Sequence, residues 1–184
     1  NAGPASFPTG SITTFGAGNI FVEGSTVTAK GNNELSARSG NVIFQNSKLE
    51  VAENAVLTFS SAGGALLLDS GSTLYLAGKM TGNVFSDADA TVAFQSSNAR
   101  LDGTLSGAAN AVFNADYALS NLNRSNNFKF SNITIMNGKT LDIGENSLTA
   151  STITGGTISA ILTDAAQTTP IITAAAENVT IKLD

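Results

Sequence analysis

The sequence predicts an all-β fold: a right-handed, single-stranded parallel β-helix of about eight coils with three short strands per coil. Three observations carry that prediction. Short apolar runs recur at Ile20, Val42, Leu66, Val84, Val112, Ile133, Ile153 and Ile171, with steps averaging about 22 residues, the length of one solenoid coil. A second apolar position follows each of these, mostly seven or eight residues on: Val27, Leu49, Leu74, Val92, Leu119, Leu141, Ile158 and Val179. A third set (Leu35, Leu57, Met80, Leu101, Phe128 and Leu148) comes about 15 residues after the first. Each coil therefore has the three strand positions that a triangular cross-section needs.

Within the segments the apolar period is two, as in a strand. Leu49-Glu50-Val51, Leu74-Tyr75-Leu76, Val92-Ala93-Phe94 and Leu141-Asp142-Ile143 each place two apolar side chains on one face and the residue between them on the other. Turn signals separate the segments: Gly31-Asn32-Asn33, Ser39-Gly40-Asn41, Gly63-Gly64, Asp69-Ser70-Gly71, Gly82-Asn83, Asn137-Gly138 and Gly155-Gly156. Gly and Asn tolerate the positive φ angles of tight corners. No window has a helical stripe of useful length, and Ala174-Ala175-Ala176-Glu177 is too short to make one.

The 184 residues form one solenoid domain, 1–184, with residues 1–11 expected as an irregular lead-in because of Pro4 and Pro8. Eight rungs at ~4.8 Å would make a rod roughly 38 Å long. Val179-Thr180-Ile181-Lys182-Leu183 still alternates like a strand, so the native chain is expected to be longer than this segment. The competing fold is an antiparallel sandwich or barrel, which also uses short alternating strands. The hairpin dipeptide occurs once, at Asn137-Gly138, and a sandwich has no reason to repeat a three-strand unit.

Composition narrows the function. The chain is 42% hydrophobic and only 12% charged, with net charge −5, against roughly a quarter charged in ordinary globular proteins. Nine scattered basic residues make no cationic face, which argues against nucleic acid as a partner. The absence of His and Cys removes Ser-His-Asp and Cys-His catalysis and most zinc sites. No S-x-x-K tetrad or phosphate-binding loop occurs, and Gly16-Ala17-Gly18 is half a dinucleotide fingerprint at best. The expectation is no catalytic, cofactor-binding or metal-binding residue.

With the repeat established, the coils resemble those of autotransporter passenger domains of the β-solenoid adhesin type. Residues 137–149, Asn-Gly-Lys-Thr-Leu-Asp-Ile-Gly-Glu-Asn-Ser-Leu-Thr, are similar to the G-x-T-L-D-L-G-x-N-x-L-T coils that such passengers repeat. Residues 69–78 make a second such coil, and residues 53–59 a poorer third. A narrower likeness, to polymorphic outer-membrane autotransporters, rests on one GGA-[ILV] match, Gly63-Gly64-Ala65-Leu66; their F-x-x-N tetrapeptide has no counterpart. The resemblance implies a non-enzymatic surface rod serving as adhesin or stalk. It further implies export through the periplasm and outer membrane to the bacterial cell surface, and an outer-membrane β-barrel in the same precursor. The partners it implies are a host-cell or matrix receptor, a glycan, or another copy. The alternative function is a glycan-binding or glycan-cleaving β-helix.

Several residues have a chemical reading beside a bland one. Glycoside hydrolysis needs two carboxyls roughly 5–9.5 Å apart; Asp87 with Asp89, then Arg100 with Asp102, are the local candidates, each pair two residues apart. Their bland counterparts are a polar turn and a surface ion pair. Asp142, Glu145 and Asn146 would make at most an incidental calcium site. Thr26-Val27-Thr28 and Thr152-Ile153-Thr154 match the T-x-T of ice-binding solenoids, without matching rows between them. Asn123, Asn132 and Asn178 begin glycosylation sequons at chance frequency. The long interval from Val84 to Val112 has room for a loop around Ser96-Ser97-Asn98.

Overall fold

A computed structural model describes residues 5–7, 10–14, 18–107, 109–122, 127–162 and 172–183. The chain is all-β, its parallel strands stacked into a β-solenoid of about seven turns, close to the eight expected. Every strand pairing is parallel and joins a strand to one in the next coil (for example Thr26 on Lys48, Lys48 on Thr73, and Thr73 on Thr91). Parallel neighbours of this kind cannot be joined by hairpins, which excludes the sandwich. Asn137-Gly138 accordingly makes a corner between Asn132–Ile135 and Thr140–Gly144, not a hairpin.

Three parallel sheets form the walls. Sheet A runs through Thr26–Ala29, Lys48–Val51, Thr73–Leu76, Thr91–Phe94, Asn110–Phe113 and Asn132–Ile135 to Ser147–Thr154. Sheet B contains Gly10–Thr14, Asn32–Ala37, Val56–Ser61, Lys79–Thr81 and Arg100–Asp102. Sheet C contains Ile20–Glu23, Val42–Gln45, Ala65–Leu68, Asn83–Ser86 and Leu105–Gly107. Regular pairing begins earlier than expected: Ala5–Phe7 already lies on Val27–Ala29, inside the stretch read as an irregular lead-in.

The interior follows from alternation. Leu49, Leu74, Val92, Ala111, Ile133 and Ile153 form one buried column of sheet A, and Val51, Leu76, Phe94, Phe113 and Ile135 the other. Each such Leu, Val or Phe contributes roughly 1.5–3 kcal/mol by leaving water. At the corner between sheets C and A, buried serines tie the coils together. Ser47 Oγ accepts from the Ser25 amide, and Ser72 Oγ accepts from the Ser47 amide while donating to the Phe44 carbonyl.

Past Leu101 the wall between A and C changes. Sheet B ends in a single bridge from Leu101 to Leu122. A new sheet, D, takes its place with Tyr117–Ala118, Thr140–Gly144, Thr157–Ala160 and Thr180–Leu183. The three apolar series shift at the same point. The first marks sheet C up to Val84 and sheet A from Val112; the second passes from A to D, and the third from B to Asn127–Lys129 and Ser147–Thr154, which belong to sheet A. The long interval therefore holds no inserted loop around Ser96–Asn98. It contains three strands, with Ser96–Asn98 as a tight turn in which the Ala99 amide donates to the Ser96 carbonyl. Four aromatic rings fill the core beside the handover: Phe94 stacks on Phe113 at 4.9 Å, Tyr117 leans on both, and Phe130 meets Phe113 edge-on.

Candidate functional site

Because the interior is filled by side chains, whatever the molecule recognises must meet its outer columns. On sheet A one such column reads Thr26, Lys48, Thr73, Thr91, Asn110, Asn132 and Thr152. Its later members hydrogen-bond in series: Thr152 Oγ1 donates to Asn132 Oδ1 (2.7 Å), and Asn132 Nδ2 to Asn110 Oδ1 (2.8 Å). The adjacent outer column reads Thr28, Glu50, Tyr75, Ala93, Val112, Thr134 and Thr154. Thr26 with Thr28, and Thr152 with Thr154, thus share the same two columns. Lys, Glu, Tyr, Ala and Val between them prevent a flat threonine ladder.

A shallow groove of about 280 Å³ runs along the corner beside this column, with Thr28 and Glu50 near one end, Tyr75, Ala52 and Ala77 in the middle, and Gln95 near the other. Thr28 Oγ1 donates to Glu50 Oε2 (3.1 Å). The groove offers a carboxylate, a phenol and an amide on an apolar floor. That set suits hydrogen bonding and ring contact, and it contains no paired acid and base.

Asp87 and Asp89 do not lie on one face of a strand. Residues 87–90 form a turn, closed by the Ala90 amide donating to the Asp87 carbonyl. Asp87 finds its partner one coil away, in Asp69. Their side-chain hydrogen bond raises the Asp87 carboxyl above its ordinary value, with burial and the charges of Asp69 and Asp89 adding to the rise. The sequence reading missed Asp69, although Leu68 and Ser86 pair in register directly before the two acids.

Arg100 and Asp102 do share an outer face, as expected, and form an ion pair through Arg100 Nε. The missed member is Lys79, whose Nζ lies 2.7 Å from Asp102 Oδ2; it sits opposite Arg100 in the next coil. Hydrogen bonds from Arg100 and then Lys79 hold the Asp102 carboxyl below the usual range. A carboxylate clamped by two cations is a poor proton donor, so this cluster balances charge and lacks the acid that glycan cleavage requires.

Asp142, Glu145 and Asn146 surround one turn. Asp142 Oδ1 accepts from the Gly144 amide and Asn146 Nδ2 donates to the Ile143 carbonyl, so two of the three side chains are occupied in closing it. Among the described residues no group of three or more His, Cys, Asp or Glu is arranged to hold a metal ion. Asn132 is exposed at the start of a half-buried strand, Asn178 lies in a turn at φ 56°, and Asn123, Gly16 and Ala17 are outside the described residues. No protein-family model, curated protein or solved structure matches the chain.

Proposed function

We propose that this chain is a non-enzymatic, surface-exposed rod, part of the passenger of a bacterial autotransporter or a related secreted adhesin, acting as adhesin or stalk. The observation that supports it best is a parallel stack whose described residues enclose one apolar core and present an outside that is mostly uncharged and polar. Such a stack makes length and repeated lateral surface from short coils. The coil at residues 137–149, which carries the passenger resemblance, supports it further. Leu141, Ile143 and Leu148 point inward, Asp142 points outward, and Gly138 and Gly144 turn at φ 75° and 56°.

The test is to treat intact producing cells with protease and probe them with an antibody against this segment. Loss of signal from unbroken cells, with a periplasmic marker preserved, is the expected result. A segment that is digested only after lysis, and that fractionates with cytosolic markers, overturns the display reading.

A further inference from the structure

The outer face of sheet C differs from the others. Its central column reads Phe21, Ile43, Leu67, Phe85 and Ser106, in register from coil to coil. Phe21 is 53% exposed and Phe85 43%, with Ile43 and Leu67 half-buried between them. Four large apolar side chains in line make a continuous stripe about 14 Å long at ~4.8 Å per coil. Isolated exposed apolar residues need no explanation, whereas contiguous ones mark contact surfaces.

The stripe has an acidic border. The outward positions two residues further along the same coils are Glu23, Gln45, Asp69 and Asp87. On its other side lie Asn19, Asn41 and Asn83, tied into the corner by bonds such as the Asn41 amide to Asn19 Oδ1 (2.8 Å) and the Thr104 amide to Asn83 Oδ1 (2.9 Å). Neither the strands of this face nor the two flanking columns contain Lys or Arg. Asp69 and Asp87 follow the register pair Leu68–Ser86 and so stand side by side on neighbouring coils, with Asp89 adding a third negative charge in the turn that follows. Like charges held this close to an apolar stripe favour a ligand that brings cations beside its own apolar surface.

We propose that sheet C is a docking face for an amphipathic, basic helix of a partner protein. Its apolar ridge would lie along Phe21–Phe85, and its Lys or Arg side chains would lie over Glu23, Asp69 and Asp87. The spacing fits: a helix repeats its apolar face every ~5.4 Å, close to the rise between coils, so about three helical turns cover the stripe in the manner of other helix-on-groove complexes. This inference deepens the adhesive reading by naming the partner's chemistry, and rests on it only in that the partner must reach the rod.

The test uses the chain with a fluorescent Leu/Lys amphipathic peptide of roughly 18 residues, long enough for five turns, and its Leu/Glu counterpart. The Leu/Lys peptide is expected to bind saturably, to bind more weakly in salt, and to exceed the Leu/Glu peptide at least tenfold. Phe21→Ser with Phe85→Ser, at positions exposed enough to leave the core intact, should weaken it about tenfold or more. Asp69→Asn with Asp87→Asn should weaken it less and flatten the salt dependence. A photo-crosslinker on the peptide should label sheet C strands. Unchanged binding to the Phe21/Phe85 variant, or crosslinks on sheets A or B only, overturns the proposal. So does concentration-dependent dimerisation that the same variant abolishes, since the occupant would then be a second copy. None of these outcomes alters protease accessibility on cells, so failure of the docking face is distinguishable from failure of the display reading.

Discussion

The coils from Ile20 to Leu101 and those beyond Ala109 solve the same problem with different means. In the first region sheets B and C keep their register coil after coil, the interior is mainly aliphatic, and buried serines stitch the C-to-A corner. In the second, sheet B ends, sheet D starts with the two-residue strand Tyr117–Ala118, and a short 3-10 turn, Leu119–Asn121, bridges the gap. In the wall of sheet B a single bridge, Leu101 to Leu122, crosses that junction, and the ring cluster of Phe94, Phe113, Tyr117 and Phe130 packs beside it. In a solenoid each coil is held chiefly by its neighbours, so a break in one sheet has to be offset locally, here by large buried rings.

The sharpest way to break this comparison is to remove a ring. Phe113 is fully buried and touches the other three rings, so Phe113→Ala should cost about 3–5 kcal/mol. It should also uncouple the two regions, giving a two-step urea transition where the parent gives one. A single transition displaced by less than about 1 kcal/mol would show that the cluster is not what joins them.

The next effect belongs to the stacked corners. A Cβ on Gly103 would lie 2.0 Å from the Gly82 carbonyl oxygen, backbone against backbone, whereas Gly138 has open space and a φ of 75°. Gly103→Ala should therefore cost on the order of 1–3 kcal/mol through forced separation of two coils. Gly138→Ala should cost ~1–2 kcal/mol through strain alone. Thermal unfolding of the two variants ranks them, and equal losses would mean that the corners can part freely.

These corners also show what was legible in the sequence. The repeat, the inward residues and most turns could be read because buried columns demand alternation and corners demand Gly or Asn. The sheet change was not legible, since any apolar triplet series looks alike whichever wall it lines. That is why Val112, half-buried on the outside of sheet A, passed for an inward anchor. The apolar stripe was missed for a related reason. Ile20-Phe21-Val22, Val42-Ile43-Phe44 and Leu66-Leu67-Leu68 are unbroken apolar runs. Only their middle residues, which violate alternation, carried the signal that the outer face was apolar too. Asp69 and Lys79 lay outside reach because their partners stand one coil away and become neighbours only once the register is known.

A smaller loss should follow from the first region's own device. Ser47 is buried, accepts from the Ser25 amide and donates to main-chain carbonyls at Val22 and Gln45. Ser47→Ala removes these hydrogen bonds from the C-to-A corner and should cost ~0.5–1.5 kcal/mol. Hydrogen exchange should quicken at Ser25 and Lys48 while the amides of sheet D stay protected. Faster exchange across sheet D as well would mean that the two regions are more tightly coupled than the aromatic junction implies.

The smallest effect is electrostatic, and its sign separates the two acidic clusters. Asp102 has a depressed folded value, so its contribution is present above the ordinary carboxylate pKa near 3.8 and is lost as pH falls through the lower folded one. Asp87 is raised, so the reverse holds: its contribution is fully present below the ordinary value and is lost as pH rises through the higher folded one. Both carboxylates are well hydrated, which keeps either effect small. In urea titrations between about pH 2 and pH 7, Asp102→Asn should lower stability at neutral pH and reduce the acid-side loss. Asp87→Asn should raise stability slightly at neutral pH, because it relieves Asp69 of a like charge. Opposite slopes in the two variants follow from a carboxylate between two cations and a carboxylate against another acid; slopes of the same sign would mean that the Asp69–Asp87 contact does not persist in solution.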